Sequence, residues 1–425
     1  MILTGGQTVA SRAVRAVLFV RNPFTHDARV LRAAHTLRGL GYDPLVVAVV
    51  STTVRAAAEE QEGIAVRRLD PVSPFTVARR LLRRRRAPSG VGGTGEGAAP
   101  AEPPGPLLRL HRWLRTLDFY RRGIGVVLRE RPALVQCNDY NTMWIGVAAR
   151  ALTGAAVVYD SHELWADRSG RPEPRWWLLL CEALFVRWAH CVVVASPGYA
   201  DVLARRYRVA RPAVVLNVPD AAPHAAPASE PAVAVYVGGL QRNRGLEEAI
   251  AALPEAGEVR LRLIGSGRPE YVAELRALAR STGVEDRLEV LPPVAPADVV
   301  ATVEGAAFGL ALFRPTCLSH RLVAPNKLFE YLVAGLPVLA SDLPVMASYL
   351  RDGAGIAVAP DDLRAVAAAL RALAEPERNR AARAAAVAAA RGLTWERERG
   401  VLARCYERAT SRSSSSQAPA AAPRV

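Results

Sequence analysis

The segment PNKLFEYLVAGLPV, residues 325–338, carries a lysine and a glutamate three positions apart, Lys327 and Glu330, in a run whose apolar spacing is helical. Lys327 is the only lysine among 55 basic residues. Arginine-rich, alanine-rich coding bias accounts for the rest of that set. A position that keeps the compact ammonium suits point contact with a phosphate oxygen, and a chance survivor is the plain alternative. Pro325 can begin the helix, which puts Asn326 and Lys327 beside free backbone N–H groups, and Gly335 can end it. A cation and a carboxylate on one face could share a diphosphate and a sugar hydroxyl; on an ordinary surface they would be an ion pair of little consequence.

Three further segments could do chemistry. In YVGGLQRNRGLEEAI, Gly238 and Gly239 end a strand, and Arg244 and Gly245 precede a helix starting near Leu246. That arrangement can hold a phosphate by charge and by the helix dipole. Gly265-Ser266-Gly267 closes the next strand but lacks the third glycine of a dinucleotide fingerprint, which argues against nicotinamide or flavin. In Asp160-Ser161-His162-Glu163 the lone histidine reads, from the residues alone, more readily as a core or capping group than as a reactive one. Metal ligation has no support: there is no Asp-x-Asp, and Cys137, Cys181, Cys191, Cys317 and Cys405 form no Cys-x-x-Cys. Five scattered cysteines fit buried thiols in a reducing cytosol.

These residues need strands and helices to position them, and the chain alternates the two almost throughout, the pattern of doubly wound α/β domains. In the first half the expected strands are 16–20, 44–50, 64–69, 133–138, 156–161, 191–196 and 213–217. In the second they are 233–239, 259–265, 287–291, 308–313, 337–341 and 355–358. The Gly/Pro-rich stretch 87–106 reads as a disordered insertion and 221–231 as a linker. The expected organisation is a disordered start over 1–13, domains over 14–220 and 232–392, a last helix over 393–410 and a tail 411–425 without a folding signal. Two such units leave a cleft at the carboxyl ends of both sheets, where open parallel sheets bind ligands.

Composition narrows the classes. The chain has 425 residues and a formal charge of +15, long enough for a core in each of two domains. No stretch reaches the roughly 18 uncharged apolar residues of a membrane span, and the first residues lack the features of a secretory signal. The basic excess is uneven: residues 1–150 hold 23 basic against 11 acidic residues, residues 201–350 hold 15 against 16. Arg79, Arg80 and Arg83 to Arg86 lie on FTVARRLLRRRR, which reads as an amphipathic helix for an anionic lipid surface or, equally, as a solvated helix. No aromatic motif, zinc spacing or recognition helix accompanies it, so nucleic acid is not expected.

Taken together, VGGLQRNRGLEEAI, LIGSG and PNKLFEYLVAGLPVLAS resemble the donor domain of retaining glycosyltransferases of the GT-B fold, glycosyltransferase family 4. HDARVLRAAHTLRGLGYDPLVVA, VVYDSHELW and VLNVPD are similar to that family's N-terminal domain, and the likeness covers most of residues 14–375. It implies two Rossmann-like domains facing across a cleft, with helix 393–410 packing back on the first. It implies a nucleotide-diphosphate sugar as co-substrate, with no cofactor and no metal. It also assigns roles: Arg244 and Lys327 to the leaving diphosphate, Glu330 to the ribose and His162 to the transferred sugar. Gly238, Gly239, Gly265, Gly267 and Asn326 complete the donor side; Asn22, His26, Asp27, Arg29, Asp139 and Glu163 form the acceptor side. The acceptor would be a lipid-linked or cell-surface glycan, reached by a cytoplasmic enzyme at the inner face of the plasma membrane. The alternatives are a natural-product transferase with a soluble small-molecule acceptor, a sugar-nucleotide epimerase of the same fold, and a scaffold with a degenerate donor site.

Three departures from the family pattern stand out. The first of its paired glutamates would fall at Leu322, the arginine often found after the first C-domain glycine is Gly239, and Asn22-Pro23-Phe24-Thr25-His26-Asp27 replaces its N-domain Gly-Gly loop.

Overall fold

The computed structural model describes residues 14–25, 27–51, 54–74, 105–170, 173–224 and 226–417, with side chains through 413. His26, the arginine run 79–86 and residues 87–104 of the expected insertion lie outside them. The β-branched runs form two sheets. The first contains β1 (Val14–Phe19), β2 (Tyr42–Val49), β3 (Ala58–Gln61), β4 (Ile64–Leu69), β5 (Leu134–Asn138), β6 (Ala156–Ser161), β7 (Cys191–Val194) and β8 (Ala213–Val214), in the order β3-β4-β2-β1-β5-β6-β7-β8. Only β3 runs antiparallel, paired with β4 at the edge. The second sheet, wholly parallel, orders β9 (Val233–Val237), β10 (Arg260–Ile264), β11 (Leu288–Leu291), β12 (Phe308–Ala311), β13 (Val338–Ser341) and β14 (Gly355–Val358) as β11-β10-β9-β12-β13-β14.

Strands as apolar as VAVYV in β9 must be covered on both faces, and helices do this in each sheet. Strand order reverses at β1/β5 and at β9/β12, so the loops leaving these strands open where doubly wound sheets bind ligands.

The helix Trp395–Gln417 leaves the second sheet and packs on the first: Trp395, Leu402, Cys405, Tyr406 and Ala409 join a core with Ala16, Leu18, Val30 and Val158. This corrects two expectations. Cys191 and Cys405 are joined in a disulfide across 214 residues, so only Cys137, Cys181 and Cys317 are free thiols. The returning helix brings Cys405 against β7, a contact that cysteine spacing does not encode. The tail expected from Ser411 is helical through Gln417: the Ser413 hydroxyl donates to the Gly154 carbonyl at 2.6 Å, tying this turn to the loop before β6. Two elements lie outside the expected set: β3, and the 25-residue helix Pro106–Glu130, which starts with proline at its first position. Among the described residues no helix is long and apolar enough to cross a membrane.

Candidate active site

Helix Asn326–Val333 is held by its apolar face: Leu328, Phe329, Tyr331, Leu332 and Val333 are buried, and the Tyr331 hydroxyl accepts from the Val237 N–H at 2.9 Å, fixing the helix to β9. Pro325 precedes the helix without a side-chain cap, and Asn326 is exposed at its start. Lys327, one position on, is only 8% exposed. Its Nζ lies 3.6 Å from the centroid of the Tyr236 ring at the end of β9 and 5.5 Å from that of Phe313 beyond β12. The Tyr236 hydroxyl donates to the Gly239 carbonyl at 2.8 Å, so one ring both shapes the glycine turn and roofs the ammonium.

Arg244 completes the cationic end. Its guanidinium lies 4.5 Å from the Phe313 ring centroid, so both cations face one aromatic side chain. Burial, and secondarily Arg244, push the Lys327 pKa well below its ordinary value, against a smaller opposing pull from Glu330. Burial likewise raises Glu330 to about 7, while Lys327 and Arg32 act the other way. The flanking arginines are neutralised: Arg242 reaches Glu274 and Glu247, and Arg314 sits 3.1 Å from Glu248. Among the described residues, neither Lys327 nor Arg244 has a carboxylate within 4.0 Å. Positive charge held there without a counter-ion is a receptor for an anion.

The glycines play different parts. At Gly265 a Cβ would stand 1.9 Å from the Gly238 carbonyl oxygen, and at Gly267 2.4 Å from that of Leu240, so both are required by packing of the β10 loop against the β9 loop. Gly238 has φ 134 and its N–H is spent on the Ile264 carbonyl; Gly239 is exposed. Helix Leu246–Ala252 is short, with Glu247 and Glu248 in its first turn, so Arg244 rather than the helix end supplies the positive charge there.

The first sheet contributes an ionic chain. Arg29, in helix Ala28–Gly39, makes a bidentate contact with Asp160 at the end of β6, 2.9 and 2.7 Å, and donates to the Val215 carbonyl and the Asn217 side chain. His162 follows: Nε2 lies 3.4 Å from Asp160, Nδ1 lies 3.4 Å from Asp139, and its backbone N–H donates to Asp139 at 3.0 Å. Asp139, at φ 65 after β5, also accepts from the Trp165 indole. Burial alone would lower the His162 pKa, but Asp139 and then Asp160 outweigh it and hold it up at about 9. Asp160 is pushed below the usual carboxylate range: burial opposes this, and Arg29 and His162 overcome it. His162 is therefore an imidazolium at neutral pH, with Nδ1 turned to Asp139 and Nε2 to Asp160.

Other expected acceptor-side residues do structural work. Asp27 caps helix Ala28–Gly39 through the Val30 N–H, and Asn22 bonds Asp27 and the Phe24 N–H. Glu163 is half-exposed, 3.6 Å from Arg168. Leu322 closes the two halves together: its carbonyl accepts from Ser196 at 2.5 Å, and its side chain packs at Gly198. Tyr199 donates to the Ser319 carbonyl at 3.0 Å across the same seam. Arg32 was not anticipated; it projects from the first sheet's side to act on Glu330, with its guanidinium over Trp395. Tyr236, Phe313 and His320, whose pKa burial and Arg244 lower, were also missed. The aromatic residues at the ends of β9 and β12 were the available signal.

Two parallel sheets facing across a cleft, with a cationic pair on one side and a carboxylate–imidazolium chain on the other, define the GT-B fold. The family profile described as "Glycosyl transferase 4-like domain" matches residues 26–219, and that described as "Glycosyl transferases group 1" matches 231–376. The chain belongs to the group 1 glycosyltransferases, family 4. A D-inositol 3-phosphate glycosyltransferase from Xylanimonas cellulosilytica is 34% identical over 195 residues, 42% of each chain, so the chain spans about two fifths of this relative's length. Among solved structures, sucrose-phosphate synthase from Thermosynechococcus elongatus superposes with TM-score 0.73 at 17% identity, covering 94% of this chain and 100% of that one. Anabaena HepE in complex with UDP and glucose gives 0.64 at 15%, covering 93% and 99%. At those identities the structures show the fold.

Proposed function

We propose that the protein is a retaining glycosyltransferase that moves a sugar from a nucleotide-diphosphate sugar to an acceptor hydroxyl without a metal ion. The observation that carries this reading is the pair Lys327 and Arg244 at the carboxyl ends of β9 and β12, with no carboxylate partner among the described residues. UDP is the favoured nucleotide, because the similar HepE structure is a complex with UDP and glucose.

In the proposed reaction the bond from the anomeric carbon to the diphosphate oxygen breaks while Lys327 and Arg244 neutralise the charge that gathers on the leaving group. The acceptor oxygen bonds to the same face of that carbon, and its proton passes to a diphosphate oxygen, so no enzyme nucleophile is needed. Glu330 orients the ribose. His162 faces the transferred sugar; its charge is balanced by Asp139 and Asp160, so it does not oppose the positive charge developing on the sugar. The acceptor is a lipid-linked or cell-surface glycan, met at a membrane surface. Donor hydrolysis and transfer with Lys327→Ala and Glu330→Ala test the assignment; rates near wild type for both would defeat it.

A further inference from the structure

Among the described residues, most of the exposed large apolar side chains are concentrated on two helices of the first domain. Helix Pro106–Glu130 exposes Leu107, Leu110, Trp113 and Leu117, spaced three or four residues apart and hence on one face. Helix Arg175–Trp188 exposes Trp176, Trp177, Leu180 and Leu184 at the same kind of spacing, with Trp176 66% and Trp113 59% exposed. The opposite faces of the two helices, with Phe119, Val126, Leu178 and Phe185, are in the core, so the outer apolar residues are surplus to folding.

The two helices flank helix Met143–Thr153 and share one core, to which they contribute Phe119, Val126, Leu178 and Phe185. The first runs down to the start of β5 and the second starts at the carboxyl edge of the sheet. At about 1.5 Å per residue, 25 residues extend roughly 37 Å, against about 17 Å for five residues of β5. The leading half of the longer helix therefore projects past the sheet edge that bears His162, beside the start of the other helix.

Charge selects the occupant. Helix Pro106–Glu130 carries six arginines and two acidic residues. Tryptophan and leucine flanked by arginine suit the boundary between headgroups and acyl chains of an anionic bilayer, where the indoles sit at headgroup level and the guanidiniums meet lipid phosphates.

We propose that the outer face formed by Leu107, Leu110, Trp113, Leu117, Trp176 and Leu180 docks on an anionic membrane surface, holding the acceptor-side mouth of the cleft against the bilayer. Docking does not depend on which sugar is transferred, and it is measured without donor. The test is co-sedimentation of the full chain with vesicles of phosphatidylcholine containing about one third phosphatidylglycerol, against phosphatidylcholine alone. Wild type is expected to bind the anionic vesicles in a salt-sensitive manner, with a blue shift in tryptophan emission. Trp113→Ala combined with Trp176→Ala should lower partitioning at least about tenfold, and Arg112→Gln about fivefold, without change in melting temperature. Absence of binding by wild type overturns the proposal. So does undiminished binding by the double variant, which would place the contact elsewhere on the chain. A stable dimer at micromolar concentration that the double variant dissociates also overturns it, assigning the face to a second copy.

Discussion

Replacing Lys327 by methionine separates what the residue does for the fold from what it does for the reaction. The side chain is 8% exposed, and its ammonium has a Tyr236 ring at 3.6 Å but no carboxylate within 4.0 Å. A desolvated cation over an aromatic ring gains about 2 kcal/mol. Holding an ammonium out of water without an ionic partner costs several kcal/mol. Methionine has similar length and no charge, so Lys327→Met should leave stability unchanged or raise it by roughly 1–3 kcal/mol, a melting temperature higher by a few degrees. Turnover should move the other way. Loss of one fixed donor to a developing oxyanion costs about 3–4 kcal/mol, or roughly 10²–10³ in rate. Differential scanning calorimetry and donor turnover on the same preparation read both quantities. A melting temperature lowered by many degrees would mean that the lysine is a structural ion-pair partner. Turnover within about threefold of wild type would mean that it does not meet the diphosphate. Lys327→Arg should also slow turnover with the charge kept, because Nζ lies against the Gly238 turn, where an added methyl would stand only 3.2 Å from it.

Further outcomes follow from the same geometry. The His162 pKa is raised to about 9, so its ionic contribution is fully present below about pH 6.5 and is lost as pH rises through 9, a span worth up to roughly 3 kcal/mol; His162→Gln should flatten the fall in melting temperature over that interval. Asp160→Ala leaves Arg29 buried and uncompensated, and should cost about 3–5 kcal/mol by urea denaturation; a loss below about 1 kcal/mol would contradict the bidentate pair. Cys405→Ser removes a cross-link spanning 214 residues and should lower stability by up to about 5 kcal/mol; wild type and variant melting alike without reductant would contradict the Cys191–Cys405 bond. Because the Lys327 pKa is depressed in the empty cleft, nucleoside diphosphate binding should take up protons, and calorimetry in two buffers of different ionisation enthalpy measures it.

Much of the fold was legible because both sheets are built from buried parallel strands, whose β-branched runs stand out between helices. The observed bounds of β4, β6 and β14 match the expected ones, and the remaining expected strands differ by a few residues at their ends. β3 escaped because AEEQ is a polar edge strand, without the apolar run that marks the others. At the site, Lys327, Glu330 and Arg244 were legible since each belongs to a local turn or helix pattern. What joins them to the rest was not: Arg29 and Asp160 lie 131 residues apart, and Tyr406 reaches Gln136 over 270. Leu322, which read as a lost carboxylate, is an interdomain contact whose backbone Ser196 binds. The pairs Gly265–Gly238 and Gly267–Leu240 show the converse, where glycines that suggested ligand contact are needed by neighbouring backbone.

The most direct measurement is the structure of the chain bound to a nucleoside diphosphate, with UDP, GDP and dTDP each tried. The diphosphate should lie within about 3 Å of Lys327 Nζ and of the Arg244 guanidinium, with the ribose beside Glu330. A diphosphate seated instead in the cavity of about 560 Å³ lined by Arg168, Arg175, Thr316 and Cys317, or failure of all three to bind, would contradict it.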